Sequence, residues 1–74
     1  MEAKKQSKQK EHRFCVEIEY SDESSFFFDV ILKGKPHQYM AHLQMITRGT
    51  LMASSAYKAT AYNEEGFDVV SYIR

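Results

Sequence analysis

One cysteine, one proline and no tryptophan leave this chain without the usual staples of a small protein. A lone Cys15 excludes an internal disulfide and any zinc site built from several thiolates. No apolar run approaches the roughly 18 residues of a membrane helix, so a membrane is not an expected partner. The lysine-rich start lacks the apolar stretch that would make it a signal peptide. Net charge is missing too. Ten Lys+Arg balance ten Asp+Glu, and the overall balance names no polyanionic or polycationic partner. What remains is a chain of 74 residues that is 43% hydrophobic, with five Phe and five Tyr. That length admits one domain and the composition is rich enough to fold it. The expectation is a soluble, cytoplasmic, single-domain protein.

The zero net charge hides a split. Residues 1–13 hold Lys4, Lys5, Lys8, Lys10 and Arg13 against Glu2 and Glu11, a balance of +3, and the remaining residues carry −3. Met1 and Ala3 are the only apolar groups among residues 1–12, too few to offset the entropy of ordering the segment. A flexible basic tail is expected over 1–12, followed by a domain over 13–74. As a functional arm, the tail would offer Lys4, Lys5, Lys8, Lys10 and Arg13 to nucleic acid. As a plain terminus it would simply stay solvated.

Alternation begins at Arg13. Phe14, Val16, Ile18 and Tyr20 share one side, and Cys15, Glu17 and Glu19 the other, the period of a half-buried strand. Ser21–Ser25 has turn composition. A second strand follows, with Phe26, Phe28, Val30 and Leu32 expected inside and Phe27, Asp29 and Ile31 outside. Pro36 suits the first turn of a helix, whose inner stripe reads as Tyr39, Leu43, Ile46, Thr50 and Ala53. Gly49 lies within that helix at a cost of about 1 kcal/mol relative to Ala, and Ser54 and Ser55 end it. A second hairpin places Tyr57, Ala59 and Ala61 inside and Lys58, Thr60 and Tyr62 outside. It turns at Asn63–Gly66, a type I turn closed by glycine, then runs on with Phe67, Val69 and Ile73 inside and Asp68, Val70 and Tyr72 outside. The sequence therefore predicts an α+β fold of order β-β-α-β-β, one helix packed on a four-stranded, mainly antiparallel sheet.

Catalytic chemistry finds little to work with. Cys15 has no neighbour that would activate it. His37 and His42 are five residues apart, about 140° on a helix, and do not form a chelating pair. The carboxylate pairs fall on one strand face or in turns, and the three glycines make no phosphate-cradling loop. A glycosidase-like pair would need two carboxyls across a cleft. No enzyme activity, cofactor, metal or small-molecule substrate is expected.

Two apolar surfaces stand out instead. Arg48 is the only charged residue between Pro36 and Ala56, and Met45 and Met52 fall on the side of the helix that should meet water. Flexible thioethers serve adaptable contact surfaces; a wider core is the plainer explanation. The outer sheet face is expected to mix Phe27, Ile31, Tyr62, Val70 and Tyr72 with Arg13, Lys58, Thr60 and Arg74, and also with Glu17, Glu19, Asp29 and Asp68. These patterns favour a protein–protein interaction module that self-associates as a homodimer, or binds another protein. Its candidate surface comprises Met45, Arg48, Met52, Phe27, Lys58, Tyr62, Val70 and Tyr72. The competing reading is a nucleic-acid accessory protein, using the tail and the aromatic, basic sheet face.

Overall fold

The computed structural model describes residues 10–74. They form β1 (Glu11–Glu19), β2 (Ser25–Lys33), α1 (Pro36–Ala53), β3 (Lys58–Tyr62) and β4 (Asp68–Ile73). The sheet order is β2-β1-β3-β4 and every neighbouring pair is antiparallel. This is the α+β fold of order β-β-α-β-β that the alternation predicts. β1 starts at Glu11, two residues ahead of the expected Arg13. The expected tail contacts Lys4, Lys5 and Lys8 lie outside the described residues, whereas Lys10 and Arg13 are both exposed.

Both hairpins turn where polar side chains can bond to the backbone. The Asp22 carboxylate accepts from the Ser24 amide at 3.0 Å and from its hydroxyl at 2.6 Å, with Glu23 between them at φ 73°. In the second hairpin the Gly66 amide donates to the Asn63 carbonyl at 3.0 Å, and Asn63 Oδ1 accepts from the amides of Glu65 and Phe67. Gly66 sits at φ 89°, the left-handed position expected of it.

The helix begins with Pro36 in its first turn. Gln38 Oε1 accepts from the Lys35 amide at 3.3 Å, the side-chain half of a capping box. At the other end Ser54 Oγ donates to the Leu51 carbonyl and accepts from the Ala56 amide, which stops the helix at the expected place.

The core joins Phe14, Val16 and Ile18 of β1 to Leu43 and Leu51 of α1, Ala59 and Ala61 of β3, and Val70 of β4. The helix is turned from the predicted stripe. Leu43, Thr47 and Leu51 are its buried residues, Tyr39, Ile46 and Thr50 are half-buried, and Ala53 is exposed. Thr47 fits inside because its hydroxyl donates to the Leu43 carbonyl at 2.7 Å, leaving no unpaired polar group there. The small Ala59 and Ala61 let α1 approach the sheet closely, and it lies more over β3 and β4 than over β1 and β2.

β4 presents the opposite faces from those predicted. Tyr62 pairs with Asp68, but the next partners are Ala61 and Val70, so Val69 is the extra residue of a β-bulge. A period-two pattern slips by one residue at such a point. Val70 and Tyr72 therefore pair with Ala61 and Ala59 and face the helix side: Val70 is core and Tyr72 packs against it. Phe67, Val69 and Ile73 are exposed rather than inside. Tyr57 is also exposed, although its backbone extends the sheet ladder by bonds to Glu19 and Arg74.

Candidate interaction surfaces

The outer sheet face is built around Glu17. Cross-strand register places Phe27, Glu17, Thr60 and Ser71 in one row, with Asp29, Cys15 and Tyr62 in the next. Tyr62 donates its hydroxyl proton to Glu17 Oε1 at 3.0 Å, and Ser25 Oγ donates to Glu17 Oε2 at 3.2 Å. The hydrogen bond to Glu17 holds the Tyr62 hydroxyl above its usual pKa, helped by burial and by the nearby carboxylates Glu17, Glu19 and Asp68. Burial, then Asp29 and Glu17, push the Cys15 thiol up as well, which lowers its thiolate fraction and reactivity. Thr60 is buried within this face and its Oγ1 has no hydrogen-bond partner among the described residues. Lys33 and Glu11 make an ion pair at 3.8 Å, largely in water.

Of the residues predicted here, Phe27, Lys58 and Tyr62 do share the outer face with Arg13, Ile31 and Thr60. Val70 and Tyr72 do not, because the bulge turns them inward. Arg74 is committed elsewhere. Its Nε donates to the Ala56 carbonyl at 2.9 Å, and its terminal nitrogen donates to the carbonyls of Ser54 and Leu51.

On the helix, Met45, Arg48 and Met52 all face away from the sheet and are exposed. Tyr72 reaches the same region from beneath: it lines a shallow groove of about 260 Å³ with Ala41, Gln44, Met45 and Arg48. A second groove, about 240 Å³, opens where His12 stacks on Tyr39 with ring centroids 4.4 Å apart, facing Glu64 and Glu65. Among the described residues no group of three or more His, Cys, Asp or Glu is placed to hold a metal ion. No helix among them is long and apolar enough to cross a membrane.

The surface that sequence reasoning overlooked is β2 as an edge. Its inner residues Phe28, Val30 and Leu32 are only half-buried, and Phe26 is exposed although it pairs with Ile18 on the inner face. The signal was present, since apolar residues occupy both faces of this strand. What alternation does not reveal is that β1 and β3 take the centre of the sheet and leave β2 at its margin.

Comparison of the chain with protein-family models, with curated proteins and with solved structures gives no match.

Proposed function

We propose that this chain is a small non-enzymatic interaction module that works by self-association, as a homodimer in its simplest form. The observation that carries the reading is the apolar load on one edge strand: Phe26, Phe27 and Ile31 of β2 are 58%, 55% and 50% exposed. Met45 and Met52, at 71% and 59%, add a second apolar area on the helix. Scattered exposed hydrophobes are ordinary, but several large ones on both faces of a single edge strand favour a contact surface. One helix on one sheet also buries a smaller share of its unfolded-chain surface than a larger domain would, so association would add stability. The outer face sets Glu17, Glu19, Asp29 and Asp68 against Arg13, Lys33 and Lys58, a mixture better suited to protein than to a phosphate backbone. Light scattering or sedimentation at tens of micromolar tests the reading. A dimer with concentration-dependent thermal stability is expected. A monomer of 8.6 kDa with an unchanging melting temperature would refute self-association.

A further inference from the structure

We infer that two copies of this chain pair antiparallel along β2, centred on Asp29, and merge their four-stranded sheets into one. The inference deepens the self-association reading and rests on it.

The two margins of the sheet differ. β4 is the shorter, and its pairing with β3 is interrupted by the bulge at Val69. β2 runs nine residues in unbroken register with β1. It has no proline and no bulge, and the helix leaves its side chains half-buried or exposed. Proteins normally blunt a long apolar edge by such devices, because its free N–H and C=O groups template another strand. Here the row of backbone groups facing away from β1 has no neighbouring strand among the described residues.

The occupant is indicated by the polarity of the strand, which is symmetrical about Asp29. Val30 and Phe28 flank it, then Ile31 and Phe27, then Leu32 and Phe26, and finally Lys33 and Ser25. Antiparallel pairing centred on Asp29 sets Phe26 against the partner's Leu32, Phe27 against the partner's Ile31, and Phe28 against the partner's Val30. Every pair is aromatic against aliphatic, a favourable cross-strand combination, and each occurs twice by symmetry. Phe26, Phe28, Val30 and Leu32 would extend the inner faces into one apolar band, while Phe27 and Ile31 would meet on the outer side.

Registers with a different centre are worse. Centring on Ile31 would oppose Asp29 and Lys33, but it overlaps only residues 29–33. It also runs Phe26–Phe28 beside the partner's Gly34–Pro36, where the chain leaves the sheet to start α1. Centring on Asp29 keeps all nine residues paired and stops both strands together. Its one cost is the like-charge contact of two Asp29 carboxylates on the solvent side, and this contact is a handle for the test.

Residues directly opposite in an antiparallel pair have Cα atoms about 4.5–5.5 Å apart, within disulfide reach. In a full-length Cys15→Ser background, Asp29→Cys should yield a covalent dimer under mild oxidation. Ile31→Cys should not, since the two positions would lie four residues apart along the paired strands, and neither should Met45→Cys. Asp29→Asn, with Cys15 retained, should tighten the dimer by about tenfold in sedimentation, the size of one relieved like-charge contact. Phe27→Lys, exposed and not needed by the core, should weaken it at least tenfold while leaving the circular dichroism spectrum intact. A dimer that cross-links through Met45→Cys or Ile31→Cys but not through Asp29→Cys overturns the β2 pairing and leaves self-association standing. A monomer at every concentration overturns both.

Discussion

Arg74 closes the carboxyl end of α1 from the far end of the sheet, with its Nε 2.9 Å from the Ala56 carbonyl. Its terminal nitrogen reaches the carbonyls of Leu51 and Ser54, the last of which lies 2.6 Å away. A helix end leaves carbonyls without intrahelical partners and carries partial negative charge, so a guanidinium is well matched to it. The last turn of α1 holds no basic residue of its own; Arg74 supplies one through the fold. Arg74→Met keeps much of the aliphatic stem and removes the donors. It is expected to cost about 1–2 kcal/mol, read as a fall of several degrees in melting temperature.

Thr60 offers the opposite case. Its hydroxyl is buried without a partner among the described residues, while its methyl group is shared by valine. A buried hydroxyl that makes no hydrogen bond carries a desolvation penalty and returns nothing. Thr60→Val should therefore stabilise the protein by about 1 kcal/mol, the reverse of the usual effect of a buried substitution. Chemical denaturation with an unchanged m-value checks it; a loss of stability would mean that the hydroxyl finds a partner in solution.

Glu23 adopts φ 73° between the two residues that close the first hairpin turn. A side chain in that region costs roughly 1–2 kcal/mol, which glycine avoids at the price of a freer unfolded chain. Glu23→Gly should gain about 0.5–1 kcal/mol net. The Asp22 carboxylate that organises the turn is untouched, so the hairpin itself should be preserved by amide chemical shifts.

Much of this architecture was legible because the chain alternates cleanly. Phe14, Val16 and Ile18 mark β1, the Asn63–Gly66 turn fixes the second hairpin, and Pro36 and Ser54 bound the helix. Two errors have local physical causes. Thr47 looks polar in a sequence but satisfies its hydroxyl on the Leu43 carbonyl, so a stripe read from hydropathy alone misses the Leu43–Thr47–Leu51 line that is buried. Val69 and Val70 are both apolar, and nothing in their side chains says which one is the bulge. That ambiguity moved Val70 and Tyr72 to the wrong face and made the outer sheet look more aromatic than it is. Met45, Met52 and Phe27 lie at the surface, as the sequence pattern predicts. The exposed edge of β2 was hidden for a different reason: strand order is a tertiary property, absent from any local pattern.

The Tyr62–Glu17 hydrogen bond predicts an alkaline signature. Glu17 and burial raise the Tyr62 pKa in the folded protein, so the folded state holds the hydroxyl proton more tightly than the unfolded chain does. The stability this contributes is complete below the unfolded value of about 10 and is lost as pH rises through the folded value. The melting temperature should therefore fall above pH 10 more steeply in the native protein than in Tyr62→Phe. Ultraviolet titration should also show one tyrosine ionising late, absent from the variant. Equal slopes for both proteins would mean that the bond does not persist in solution.

Met45 and Met52 separate the two apolar surfaces. Both are exposed, at the middle and end of α1, and neither belongs to the buried core. Replacing both with lysine should change stability by no more than about 1 kcal/mol, since exposed positions outside the core tolerate substitution. Lysine is also a better helix former than most polar residues. If association runs along β2, Met45→Lys with Met52→Lys leaves the dimer intact, whereas Phe27→Lys dissolves it. Loss of the dimer only in the methionine double variant would place the interface on the helix, beside Arg48 and the Tyr72 groove. Sedimentation of the two variants side by side reads the answer without any knowledge of a partner.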